Sequence, residues 1–160
     1  NLRGAARTIL MDLLACRLEM SRPVRPTHVI NASITDPVEA VLNLTGGIGA
    51  EVVVVACVSA TAQAQALRMA ARGGQVCFFA ALPPGRSQVN LDTNLIHNRE
   101  LAVIGSRGST RRHFDLAVEL LRSRRIDASP LITHILPLEQ IGEGFGLVKT
   151  GQAMKVVIRP

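Results

Sequence analysis

An acidic residue near the start of the chain has a position from which it could bind a sugar. Thr8, Ile9, Leu10 and Met11 predict a strand, and Asp12 follows them directly. In dinucleotide-binding βαβ units, the second strand ends with a carboxylate that accepts hydrogen bonds from the ribose hydroxyls. Arg17 follows five residues later, where its guanidinium could lie over an adenine or contact the same ribose. The pair is a candidate contact for NAD rather than NADP, because a carboxylate repels a 2′-phosphate; the alternative is an ordinary loop acid after a strand.

The phosphate half of such a site would be a glycine-rich loop. That loop lies about 20 residues before the ribose acid in dinucleotide-binding units, and Asp12 has only eleven residues before it. We therefore expect the chain to carry the ribose half of a cofactor site without the phosphate half.

Three glycine clusters differ in their surroundings. Gly105-Ser106-Arg107-Gly108 joins a predicted strand to a helix start, so its amides could bind an anion or a carboxamide. The cluster at 46–49 follows a helix and precedes a strand, which predicts a turn. The glycines at 142, 144 and 146 lie inside a helical segment, which each weakens by about 1 kcal/mol relative to alanine. Only the cluster at 105–108 is a candidate ligand loop.

Cysteines and histidines give no sign of a metal site. The three cysteines, Cys16, Cys57 and Cys77, lie far apart in apolar stretches, which predicts buried free thiols. The four histidines are equally scattered, and none stands at ligand spacing from a cysteine or an acid. We predict neither a metal centre nor a Ser/His/Asp arrangement.

The elements that must position these residues form an alternating pattern. Short runs rich in Val and Ile alternate with helical patterns, which predicts a mainly parallel α/β sheet. We expect residues 51–58 to form a strand buried on both faces. Asp36, Ser59 and either Ser109 or Thr110 are the predicted N-caps of three helices. The predicted strands lie at 8–11, 28–31, 51–58, 75–80, 101–105, 131–136 and 155–158.

Composition limits the class of protein. The 160 residues are 48% hydrophobic, with a mean hydropathy of +0.26, which excludes a disordered chain. No apolar run reaches the roughly 18 residues of a membrane span, and the first residues show no signal-peptide pattern. We expect a cytoplasmic protein with no membrane partner.

The chain is basic, with a net charge of +6 and a pI near 10.5. Its arginines are scattered along the sequence, and its four aromatic residues are all Phe, so platforms for base stacking are scarce. We favour a solvated arginine-rich face over a nucleic-acid interface.

Several stretches together resemble a known family. They are Gly46-Gly47-Ile48-Gly49-Ala50-Glu51-Val52-Val53, Ala71-Arg72-Gly73-Gly74-Gln75-Val76, Asn94-Leu95-Ile96-His97-Asn98-Arg99-Glu100-Leu101, Pro130-Leu131-Ile132-Thr133-His134 with Pro137-Leu138-Glu139, and Gly151-Gln152-Ala153-Met154-Lys155-Val156-Val157. In this order the chain resembles the C-terminal part of the zinc-dependent medium-chain dehydrogenases, in their sorbitol, threonine and alcohol dehydrogenase branches.

The resemblance implies a fold and a domain arrangement. Residues 1–109 would form a partial NAD-binding domain, a Rossmann-type, mainly parallel, doubly wound sheet that lacks its first strand. Residues 110–160 would be a C-terminal segment that returns to the catalytic domain. Family dimers align the edge strand 101–105, which implies a possible homo-oligomer through that edge.

The adenosine side of the cofactor would meet five residues by resemblance. Asp12 matches the family's ribose-binding acid, and Arg17 matches an adenosine-contacting arginine of the polyol dehydrogenases. Ala56 and Cys57 would pass beside the adenosine, and Lys155 matches a basic residue that approaches the pyrophosphate.

The nicotinamide side would meet five more. Ala80, Ala81 and Leu82 end the strand whose backbone faces the nicotinamide, where relatives usually have Gly-Gly in place of Ala80-Ala81. Ile104 and Ser106 would offer main-chain hydrogen bonds to the carboxamide.

The resemblance also implies a reaction. The parent activity would be hydride transfer from a secondary alcohol or polyol to NAD, with a catalytic zinc that polarises the alcohol oxygen. The family's zinc ligands lie in an N-terminal domain, and those positions have no counterpart in this sequence. We therefore expect the 160 residues to be inactive alone. The alternative is a non-catalytic fragment that acts only as an association module.

Overall fold

Strands and helices alternate along the whole chain. The computed structural model describes residues 2–160. The strands are β1 (Ile9–Asp12), β2 (His28–Asn31), β3 (Ala50–Val55), β4 (Ala70–Phe78), β5 (Ala102–Gly105), β6 (Ile132–Pro137) and β7 (Lys155–Arg159). The helices are α1 (Ala15–Met20), α2 (Pro37–Leu44), α3 (Ala60–Met69), α4 (Thr93–Arg99), α5 (Arg111–Arg122) and α6 (Ile141–Lys149). None of these helices is long and apolar enough to cross a bilayer.

Every pair of neighbouring strands is parallel. β1 pairs with β2, β3 pairs with β4 and β4 with β5, and β6 pairs with β7. Parallel strands need a crossover between them, and a helix or a longer segment containing one supplies it in each case. The prediction of a parallel α/β fold is confirmed.

Two compact units emerge from the packing. The first contains the described residues up to Thr35 together with Ser109–Pro160, and the second contains Asp36–Gly108. This division concerns packing alone. The assignment of 1–109 and 110–160 to two functional domains stays a prediction.

The core of the second unit lies on one face of the β3–β4–β5 sheet. Val53, Val55 and Val76 are buried there, beside Leu67 of α3. On the opposite face, Val52 and Val54 are 60% and 56% exposed. The prediction that this strand is buried on both faces is therefore wrong. Side chains alternate between the two faces of a strand, and the described residues cover only one face of this sheet. Every second side chain of the apolar run is therefore exposed.

The predicted N-caps are present. Asp36 accepts hydrogen bonds from the backbone N–H groups of Val38 and Glu39, at 2.8 and 3.0 Å. Ser59 Oγ accepts from Ala62 N at 3.2 Å, and Thr110 Oγ1 accepts from His113 N at 3.4 Å. These oxygens satisfy amides that have no partner within their helix, which is why each helix begins where the cap stands.

The cysteines depart from their predicted burial. Cys16 and Cys57 are exposed, and Cys77 is half-buried. Cys57 follows the end of β3 in a loop, and Cys77 shares the uncovered sheet face with Val54, its partner across the strand pair. Apolar neighbours in sequence did not bury these thiols because burial depends on what covers each face.

The glycines of α6 are not equivalent. Gly144 is buried, and a Cβ built on it would lie 3.2 Å from Val156 Cγ1 and 3.6 Å from Leu136 Cδ1. At Gly142 and Gly146 an added Cβ would meet no atom within 4 Å. Gly144 therefore lets α6 approach the β6–β7 pair closely, whereas the other two only reduce helix propensity.

We predict opposite outcomes for alanine at these positions. Gly142→Ala and Gly146→Ala should each raise the free energy of unfolding by about 0.5–1 kcal/mol, because alanine favours a helix and the site is open. Gly144→Ala should gain less or lose stability, because its Cβ must displace Val156. Urea denaturation followed by circular dichroism measures all three; equal gains would contradict this account.

Candidate functional site

Asp12 is the last residue of β1, and both of its carboxylate oxygens have partners. Oδ1 accepts a hydrogen bond from Leu14 N at 3.0 Å, and Oδ2 lies 3.2 Å from Arg17 Nε. The two side chains are 30% and 37% exposed. The short loop into α1 thus holds the carboxylate at the carboxyl end of a parallel strand, with its arginine beside it. Each carboxylate oxygen has further lone pairs, so a diol could still donate to it.

A pair of threonines fixes the strand pair that carries Asp12. Thr8 N donates to Thr27 Oγ1 at 2.8 Å, and Thr27 N donates to Thr8 Oγ1 at 3.1 Å. The resulting register sets Asp12 opposite Asn31, the last residue of β2. Asn31 was not among the predicted site residues, although its position at a strand end was a usable signal. Two polar side chains therefore stand side by side at this edge.

The turn after α6 supports α1, the helix that bears Arg17. Gly151 is buried with a φ of +74°, and an added Cβ would lie 2.6 Å from Leu14 Cδ1. Cys16 Sγ also lies 4.0 Å from the carbonyl oxygen of Gly151. This contact joins residues far apart in sequence, so sequence reasoning had no signal for it.

We predict that Gly151→Ala lowers the free energy of unfolding by about 1–3 kcal/mol. Alanine is strained in the left-handed conformation of this residue, and its Cβ would crowd Leu14. In a Leu14→Ala background the crowding is removed and only the backbone cost remains. The double-mutant cycle should therefore show a smaller loss for the second Gly151→Ala change. Identical losses in both backgrounds would show that Leu14 does not crowd the site.

The second unit gathers seven of the predicted residues at the carboxyl ends of its three strands. Ala56 and Cys57 follow β3, while Ile104 and Ser106 lie at the end of β5 and just after it. The remaining three, Ala80, Ala81 and Leu82, follow β4. Because all three strands are parallel, these ends meet at one edge, which is where open α/β sheets bind ligands.

Backbone hydrogen bonds tie these strand ends together. Val55 O accepts from Phe79 N and Ala80 N, both at 3.0 Å, and Phe78 O accepts from Ser106 N at 3.2 Å. The Ser106 N–H is therefore engaged, which leaves its carbonyl oxygen as the main-chain group for a ligand. The predicted contacts of Ile104 and Ser106 with a carboxamide stay a prediction.

Lys155 begins β7 in the first unit, and its side chain is exposed. It shares that unit with Asp12 and Arg17, while the seven residues above belong to the second unit. Among residues 2–160, no three His, Cys, Asp or Glu side chains come together as metal ligands. The described donors do not fit a zinc ion, so we assign no step to a metal held by this chain.

A parallel α/β fold with an acid at a strand end is shared by many nucleotide-binding proteins, and comparison with known proteins decides among them. The profile of the family described as zinc-binding dehydrogenase matches residues 1–123. The chain belongs to the zinc-binding dehydrogenases. The expected resemblance is thereby confirmed, and the family uses NAD(P) and zinc.

Two curated relatives illustrate the match. An L-threonine 3-dehydrogenase of Bacillus velezensis is 37% identical over 98% of this chain and 45% of its own length. A sorbitol dehydrogenase of Halalkalibacterium halodurans is 27% identical over 90% of this chain and 41% of its own length. The chain thus spans less than half the length of these zinc-binding dehydrogenases.

A solved structure matches the fold closely. A protein described as a zinc-binding dehydrogenase from Sinorhizobium meliloti, determined bound to NADP, has a TM-score of 0.88 and 26% identity. The match covers 99% of this chain and 46% of that one. The parallel sheets described above therefore correspond to the C-terminal portion of zinc-binding dehydrogenase structures.

Proposed function

We propose that this chain is the C-terminal part of an NAD-dependent, zinc-type alcohol or polyol dehydrogenase. The reaction of the complete protein is hydride transfer from a secondary alcohol to NAD. The observation that carries the proposal is the carboxylate of Asp12 at the carboxyl end of β1, held by Leu14 N and Arg17. Membership of the zinc-binding dehydrogenases supports a cofactor ribose as the ligand of this carboxylate.

The residues have separate roles in this proposal. Asp12 accepts hydrogen bonds from the ribose hydroxyls, and Arg17 orients the carboxylate and contacts the adenosine. In the second unit, the backbone at the ends of β4 and β5 lies along the nicotinamide and its carboxamide. Lys155 approaches the pyrophosphate. None of these residues exchanges a proton with the alcohol, so the contribution of this chain is to bind and orient NAD.

The choice of NAD over NADP rests on the same carboxylate. A negative charge beside the ribose repels a 2′-phosphate, although Arg17 lies 3.2 Å away and offsets part of that charge. The Sinorhizobium protein was determined bound to NADP. The preference for NAD or NADP must therefore be measured for this chain itself.

The purified 160-residue chain should bind NADH weakly and should not oxidise alcohols. More than half of the length of the Bacillus velezensis relative lies outside the matched region, and no three His, Cys, Asp or Glu side chains of residues 2–160 come together as metal ligands. Saturation-transfer NMR with NADH tests binding, and the absorbance of NADH formed from NAD and a secondary alcohol tests turnover. Turnover by the chain with no partner present would contradict the proposal.

The second candidate function is a non-catalytic association module. It is favoured by β5, which lies at one edge of its sheet. A free parallel edge presents unpaired N–H and C=O groups that a second copy can bind. Size-exclusion chromatography with light scattering tests this alternative, and a well-folded monomer would count against it.

A further inference from the structure

The second unit contains an open cavity, broadly exposed to solvent, that none of the proposed cofactor residues lines; its Arg68 and Asp92 side chains are exposed. It lies among α2, α3, α4 and the segment before α4, and has a volume of about 540 Å³. Cavities of about 300–1,000 Å³ are typical of small-molecule sites. Its lining includes the apolar side chains of Val38, Leu42 and Leu95, the arginines Arg68 and Arg99, the acid Asp92 and the amide Asn90.

Apolar side chains form one part of this lining. Val38 is only 2% exposed, and Leu42 and Leu95 are half-buried. They come from two helices, so the apolar area is concave rather than a single helix face. A branched aliphatic group of a few carbons would remove the accessible area of Leu42 and Leu95 from water, and each buried methylene contributes about 0.8 kcal/mol.

Two guanidinium groups border the apolar part. Arg99 Nη1 donates to the carbonyl oxygens of Arg68 and Ala70, at 3.1 and 2.9 Å. These bonds fix the Arg99 guanidinium and leave Nε and Nη2 available. Across residues 2–160, the Arg68 side chain makes no hydrogen bond or ion pair. A guanidinium group suits a carboxylate, to which it can donate two parallel hydrogen bonds.

An acid completes the lining. Asp92 Oδ1 caps α4 by accepting from Asn94 N at 3.0 Å, and within the described chain Oδ2 has no partner. The carboxylate is part of no ion pair among residues 2–160. A free carboxylate oxygen beside an apolar surface is a partner for an ammonium group.

We propose that this cavity binds a free α-amino acid with a branched aliphatic side chain. The ligand carboxylate lies between Arg68 and Arg99, its ammonium group on Asp92, and its side chain against Leu42 and Leu95. A zwitterion matches the site because the lining carries both signs of charge around an apolar area. This proposal does not depend on the dehydrogenase function.

The test uses L-leucine as the probe, titrated into the full chain by calorimetry and followed by amide chemical shifts. Leucinamide lacks the carboxylate and 4-methylpentanoate lacks the ammonium group. We expect each analogue to bind at least about tenfold more weakly than leucine, because one charge pair is lost. Analogue binding as tight as that of leucine would overturn the amino-acid assignment, as would no binding of leucine near its solubility limit.

Variants localise the site. Arg68→Gln removes the free guanidinium, and Asp92→Ser removes the carboxylate while keeping a good N-cap. Each should weaken leucine binding about tenfold or more, with an unchanged circular dichroism spectrum. Arg86→Gln, at an exposed arginine outside the cavity, is the matched control and should bind as the wild type does. Equal affinities in all three variants would overturn the proposal.

Discussion

Gly49→Ala is expected to lower the free energy of unfolding by about 2–5 kcal/mol. Alanine is strained in the left-handed backbone conformation of this residue, and its Cβ would also be crowded by neighbouring atoms. Gly49 is buried with a φ of +91°. A Cβ added there would lie 2.7 Å from Met69 O and 2.8 Å from Ala71 N. Both are backbone atoms at the junction of α3 and β4, so they cannot move aside as a flexible side chain would. Guanidinium denaturation followed by circular dichroism measures the loss.

Gly47→Ala is the matched control for this experiment. Gly47 has a similar φ of +84°, but an added Cβ would meet no atom within 4 Å. Its replacement should lower the free energy of unfolding only by the cost of placing alanine in a left-handed backbone conformation, about 1–2 kcal/mol. If both variants lost the same stability, the close approach of β3 to the start of β4 would not be what selects glycine at position 49.

Asp12→Asn is expected to weaken binding of NAD by about 10- to 100-fold, because a hydrogen bond to a charged group contributes roughly 1.5–3 kcal/mol. Affinity for NADP should fall less or rise. Removal of the negative charge ends its repulsion of a 2′-phosphate and releases Arg17, now 3.2 Å from Asp12 Oδ2. Isothermal titration with each cofactor gives the two affinities and their ratio. A wild-type protein that binds neither cofactor would contradict the proposed function.

Two features make this variant a test of binding rather than of folding. Asparagine keeps an oxygen that can accept from Leu14 N, so the entry to α1 is preserved. Glu19→Gln is the control, because it removes a different carboxylate, one on α1 that pairs with Arg22. That control should leave both affinities unchanged. A parallel loss of NAD and NADP affinity in Asp12→Asn would show that the carboxylate does not discriminate between them.

Local signals in the sequence were reliable where neighbouring residues decide the structure. Strand β2 has the predicted bounds, His28–Asn31, and Asp36, Ser59 and Thr110 cap their helices as predicted. Helix α3 ends at Met69 rather than near Arg72, because Ala70 already pairs with Ala50 of β3. A cap is a contact between residues two or three apart, whereas that boundary depends on a distant strand.

Burial was less predictable. Val52 and Val54 have the composition of a strand enclosed on both faces, yet more than half of each side chain is exposed. The same uncovered face explains the half-buried Cys77. The cavity lined by Arg68 and Asp92 also escaped sequence reasoning, because its residues lie on separate elements.

The sequence by itself determined the family, the alternation of strands and helices, and the candidate ribose acid. Those properties depend on residue order and on short-range hydrogen bonds, which a sequence records directly. Only the tertiary structure decided that Gly49 and Gly144 permit close approaches and that one face of β3 stays open. Each of these depends on which distant segments meet, and that is set by packing over the whole fold rather than by any local pattern.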